Sequence, residues 1–169
     1  MKKRTRILLV AALVPTVVLG IAAPMALASG GSQRGMFEHF SLAAGMKGAN
    51  EVPPVSEGDP DAAGYGVVDI DPIRGEVCVE DFAVGGATAP LILFHIHRGV
   101  AGQNGPVVVD FTSLLPATGL PSGPLGCVSV DNRQLLKEIL LRPGNFYLNA
   151  HNADFMGGAL RGQLVRVFA

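Results

Sequence analysis

The chain has 169 residues, with 13 Lys and Arg against 14 Asp and Glu. Four of the basic residues, Lys2, Lys3, Arg4 and Arg6, sit at the extreme N-terminus, so the rest carries 9 basic and 14 acidic groups, a net charge of −5. A surface of that sign lacks the basic clusters that phosphate backbones require, which excludes nucleic acid as a partner.

In chain order, the basic start is followed by an apolar run from Ile7 to Ile21, broken at Pro15, and then by Ala26-Leu27-Ala28 before Ser29. A basic region, a short apolar stretch and a small-x-small site together predict a secretory signal peptide over 1–28. The run is short beside the roughly 20 residues of a membrane-spanning helix. No stable membrane span is therefore expected after cleavage, and the mature chain is expected to be secreted or held at the cell envelope. An uncleaved N-terminal anchor is the alternative. Residues 29–36, rich in Gly and Ser, predict a flexible lead-in.

From residue 37 to 169 short apolar runs alternate with turn residues, predicting one β domain. Strands are predicted near 37–46, 64–71, 76–84, 91–98, 106–112, 125–131, 146–151 and 159–168. Eight short strands at this spacing predict an all-β fold, an immunoglobulin-like or Greek-key sandwich or barrel. One helix interrupts them. Asp131 or Asn132 can cap it, Leu135, Leu136, Ile139 and Leu140 recur at helical spacing, and Pro143-Gly144 ends it.

Two cysteines, Cys78 and Cys127, predict one disulfide in an exported chain. Period-two alternation puts Val77 and Val79 on one face with Cys78 on the other, and Val128 and Val130 on one face with Cys127 on the other. The pair is thus expected to join neighbouring strands or sheet edges outside the core.

The same alternation groups polar residues. His95 and His97 share one face of their strand, Asn149 and His151 share another, and Arg161 and Gln163 a third. If those strands come close, six polar side chains meet in one patch. A His-x-His pair presents two imidazoles about 7 Å apart at Cα, since a strand rises about 3.3 Å per residue. With His151, the three form a candidate site for copper or zinc. Alternatively they tie strand ends and loops together through hydrogen bonds, with no metal. His39 is a further ligand candidate, though nothing links it to the others. Asp59 with Asp61, and Asp69 with Asp71, read as solvated turn aspartates rather than calcium ligands. Glu51, ahead of Pro53-Pro54, is expected either to pair with Arg161 or to face water. There is no nucleophile elbow and no phosphate-binding glycine loop, so no catalytic residue is assigned.

Several motifs, in order, resemble the CHRD domain, named after repeats in the extracellular protein chordin. They are Gly48-Ala49-Asn50-Glu51-Val52-Pro53-Pro54-Val55, His95-Ile96-His97-Arg98-Gly99, Gly105-Pro106-Val107-Val108, Tyr147-Leu148-Asn149-Ala150-His151 and Gly157-Gly158-Ala159-Leu160-Arg161-Gly162-Gln163-Leu164. The resemblance runs from about 38 to 168 and implies a bacterial secreted single-domain member with an immunoglobulin-like sandwich or barrel. The His-x-His strand also looks locally like the copper strand of Cu/Zn superoxide dismutases. Those use four copper histidines and a zinc loop, of which only His95, His97 and His151 have counterparts here. Two functions stay open: a non-catalytic extracellular module that binds an unidentified protein or glycan, and a copper- or zinc-binding protein.

Overall fold

The computed structural model describes residues 40–167. The expected signal peptide, the lead-in and His39 lie outside the described residues.

Ten strands and one helix follow one another: β1 Phe40–Lys47, β2 Ala63–Asp71, β3 Glu76–Gly85, β4 Leu91–Arg98, β5 Val107–Asp110, β6 Ser122–Gly123, β7 Gly126–Ser129, α1 Arg133–Leu141, β8 Phe146–Asn152, β9 Leu160–Gln163 and β10 Val165–Arg166. The pairings are all antiparallel. They run in the order β5-β4-β8-β9-β1-β2-β3-β6, with β7 also on β3 and β10 also on β1. The sheet curls into a nearly closed barrel, as the all-β reading expects. Phe82 of β3 and Phe94 of β4, far apart in strand order, stack face to face with centroids 4.0 Å apart. Phe111 closes on Phe94 at 5.3 Å, and Leu42, Ile70, Ile96 and Leu148 fill the space around them, fully buried.

The eight expected strands are found, with differences at the ends. The last is split: β9 stops at Gln163, and Leu164 is wholly buried before β10 resumes on β1. β6 had no apolar run to reveal it, being two residues of Ser and Gly. In α1 it is Asn132, not Asp131, whose side chain accepts from the Leu135 N–H at 3.0 Å. Leu135, Leu136 and Ile139 are buried, while Leu140 only flanks the core. The helix is held to the sheet by Glu138, which accepts both arms of the Arg98 guanidinium, one at 2.9 Å. Beyond it, Pro143–Asn145 form a 3-10 turn rather than a plain stop.

Cys78 and Cys127 are bonded, and they face each other in the β3–β7 register. Val77 and Val79 are buried on the opposite side, so the bridge lies outside the core as the alternation predicts. It closes a separation of 49 residues, worth about 4 kcal/mol in the chain-entropy account. Reduction is expected to lower the melting temperature accordingly, by a thermal scan with and without reductant. Leu136→Ala should cost about 2–5 kcal/mol in urea unfolding, because its side chain is fully buried.

Candidate metal centre

All seven residues of β8 are buried. Phe146, Leu148 and Ala150 belong to the barrel core, which leaves Tyr147, Asn149 and His151 on the other face. In register beside them stand His95 and His97 of β4 and Arg161 and Gln163 of β9. Three connecting segments cover this polar face. From 99–106, the Gly105 carbonyl accepts from His97 Nδ1 at 2.8 Å and the Gly105 N–H donates to the Tyr147 hydroxyl at 3.3 Å. From the segment after β1, Glu51 Oε1 accepts from Asn149 Nδ2 at 2.6 Å. From 153–158, the Met156 carbonyl accepts from His151 Nδ1 at 2.9 Å.

These bonds fix the histidine tautomers. His97 and His151 each spend an Nδ1–H on a backbone carbonyl, which leaves the lone pair on Nε2. His95 directs Nε2 at Thr112 Oγ1, 3.4 Å away, and Asp110 Oδ1, 3.5 Å away. The Asp110 carboxylate can only accept, which favours the tautomer with the proton on Nε2 and the lone pair on Nδ1. Those three remaining nitrogens, His95 Nδ1, His97 Nε2 and His151 Nε2, are buried and have no hydrogen-bond partner among the described residues. One ligand nitrogen from each histidine lies within 4.8 Å of the others. Points so spaced lie within 4.8/√3, about 2.8 Å, of a common centre, against Zn–N bonds of about 2.0–2.1 Å. Closing on an ion thus asks each ring to move by less than about 1 Å. Among the described residues this is the one His/Cys/Asp/Glu group that converges so.

Electrostatics keep the rings neutral. Burial pushes His95 down to about 4, against the pull of the Asp110 carboxylate, with His151 and His97 adding to the fall. Burial likewise lowers His97, opposed by the Gly105 carbonyl and helped by His151 and Arg161. It lowers His151 against the Met156 carbonyl. Neutral imidazole is the form that ligates a metal.

The six-residue patch therefore divides. The three histidines and Asn149 are adjacent on β4 and β8. Arg161, 2% exposed, lies with its guanidinium carbon 3.4 Å from the centre of the Tyr147 ring. It donates to the Val100 and Gln103 carbonyls and to Asn104 Oδ1 at 2.8–3.2 Å, and so organises the 99–106 segment. Gln163 turns to the Gly99, Gly144 and Phe146 carbonyls, a structural tie at the far end of the face. Glu51 neither pairs directly with Arg161 nor faces water. It is buried, and a Cβ on Gly158 (φ +135°) would come within 2.5 Å of its carboxylate. Asp59 is not a solvated turn residue either: wholly buried, it accepts from Thr88 and Asn152 and pins two loops. Sequence reasoning missed Tyr147, which stacks on His97 at 4.9 Å with an 11° tilt. Its position two residues before Asn149 was the available signal.

Fold and site together define an all-β, disulfide-stapled barrel with three imidazoles, those of His95 and His151 buried and that of His97 half-buried, converging on its covered outer face. The CHRD-domain family model matches residues 42–164, from β1 to just past β9. The chain belongs to the CHRD domain family. No curated protein and no solved structure matches it.

Glu51 gives a pH test. Burial raises its pKa from 4.5 to about 7, against the fields of Arg161 and the Asn149 hydrogen bond. Between those values the folded state binds more protons than the unfolded chain. Stability from this group is then full below 4.5 and is lost as pH rises through 7. The histidines act in the opposite sense, losing stability as pH falls below 6.5, but they are common to wild type and Glu51→Gln. Relative to that variant, wild type should lose up to about 3 kcal/mol between pH 4.5 and pH 8 in urea unfolding. A pH-independent difference would mean an unshifted Glu51.

Proposed function

We propose that the chain is an exported, non-catalytic CHRD module whose His95, His97 and His151 bind one first-row transition-metal ion, copper or zinc. Two observations carry this: each of the three histidines has a buried ring nitrogen left without a protein donor, and one ligand nitrogen from each lies within 4.8 Å of the others. Burying an acceptor without a partner costs about 1–3 kcal/mol, and an ion offsets all three costs at once. Imidazole nitrogens suit copper and zinc, and three protein ligands leave a position for an exchangeable fourth. The backbone carbonyls behind His97 and His151 and the Asp110 side behind His95 are the outer contacts that orient ligating imidazoles and raise their basicity. Export is supported by the N-terminal pattern and by the disulfide, which persists in oxidising compartments. Among the described residues no helix is long and apolar enough to cross a membrane.

A second reading rests on the bonds from His97 and His151 to loop carbonyls. In it the histidines serve to hold the 99–106 and 153–158 segments as a surface for an extracellular protein or glycan.

Calorimetric titration of the metal-free protein separates the two. The metal reading expects one Cu²⁺ per chain, bound more tightly than Zn²⁺ as the divalent order dictates. His97→Ala should weaken it by at least about 100-fold. Equal, weak heats from wild type and His97→Ala would leave only the loop-holding role.

A further inference from the structure

Beside the three ring nitrogens lies a fourth acceptor that the metal reading does not use. Asn149 is directly opposite His95 in the β4–β8 register and two residues before His151 on the same face. It is 3% exposed, and its Oδ1 is buried with no partner among the described residues. Its amide cannot turn freely. Nδ2 is committed to Glu51 Oε1 at 2.6 Å, and a Cβ on Gly158 would come within 2.5 Å of that carboxylate and displace it. With the NH₂ end held by Glu51, the carbonyl Oδ1 is the end left without a partner. Arg161, opposite Asn149 in the β8–β9 register, is already committed to Asn104 and to the carbonyls of Val100 and Gln103. Four buried acceptors without a protein partner thus sit on four residues of the adjacent strands β4 and β8.

A metal ion answers the three nitrogens, but a carbonyl oxygen is a poor partner for an ion that prefers imidazole. A water molecule on that ion answers it well, because coordination sharpens its O–H groups as donors. Resting on the metal reading, we infer that Asn149, oriented by Glu51, is the outer positioning residue for a protonated exchangeable ligand, in the first instance water, on the bound ion. The site is thereby of the exchangeable rather than the closed structural kind, and it is biased towards ligands that can donate a hydrogen bond.

The copper(II)-loaded protein tests this by titration with azide, an anion with no hydrogen to give, followed in the charge-transfer absorption. Replacing water with azide forfeits the bond to Asn149, so Asn149→Ala should bind azide about 5- to 10-fold more tightly than wild type. Glu51→Ala frees the amide and should move the same way, whereas Glu51→Gln keeps an oxygen for the Asn149 NH₂ and should behave as wild type. Paramagnetic resonance should report the same nitrogen ligation in all four proteins. A merely structural Asn149 would lower the melting temperature and leave azide affinity unchanged in the Ala variants, which would overturn the inference while leaving the metal site standing. Failure of the wild type to take up copper would overturn both. Should Asn149→Ala not fold, the Glu51→Ala and Glu51→Gln pair carries the same contrast.

Discussion

The structure turns on one strand being buried on both faces while carrying polar side chains on one of them. The core face of β8 needs only packing. Its other face holds Tyr147, Asn149 and His151, and a polar group taken out of water must find a partner or lose about 1–3 kcal/mol. That requirement explains why three separate segments fold down over β4, β8 and β9, each bringing one acceptor: the Gly105 carbonyl, the Glu51 carboxylate and the Met156 carbonyl. Arg161 serves the same end from the neighbouring strand. Its guanidinium is drawn down over Tyr147 and gathers the carbonyls of the 99–106 segment, so the cover is held by the face it covers.

What this satisfaction leaves over is informative. The cover supplies acceptors generously and donors hardly at all, so the ring nitrogens facing inward remain without a proton to accept. A purely architectural cluster of imidazoles and an amide would be expected to mix donors and acceptors until each is matched. Here the mismatch has one sign throughout and is gathered at one place. The metal ion proposed for the site would relieve it, and burial favours the neutral form of the rings that such an ion needs.

Much of this was legible in the sequence because period-two alternation survives in any strand whose two faces differ. It placed His95 with His97, Asn149 with His151, and both cysteines away from the valine stripe. The helix was legible through the spacing of Leu135, Leu136 and Ile139. Other features were not, for definite reasons. Asp59 looked like a solvated turn residue, and Glu51 like a partner of Arg161 or a surface group, because their burial is made by segments distant in sequence, through Asn149, Thr88 and Asn152. Gln163 shares a strand face with Arg161 but lies at the end where the loop carbonyls are, and alternation says nothing about position along a face. β6 and the break at Leu164 are set by what the neighbouring strands offer, not by local pattern.

The disulfide ties β7 to β3, near one margin of the curled sheet, while the imidazoles occupy β4 and β8, towards the other. On the proposed reading of an exported metal-binding module, the covalent clasp and the imidazole cluster are thereby assigned to opposite borders of the same sheet. Sequence drift that trims or strengthens the clasp can proceed without disturbing the pocket, and the pocket can be retuned without loosening the clasp.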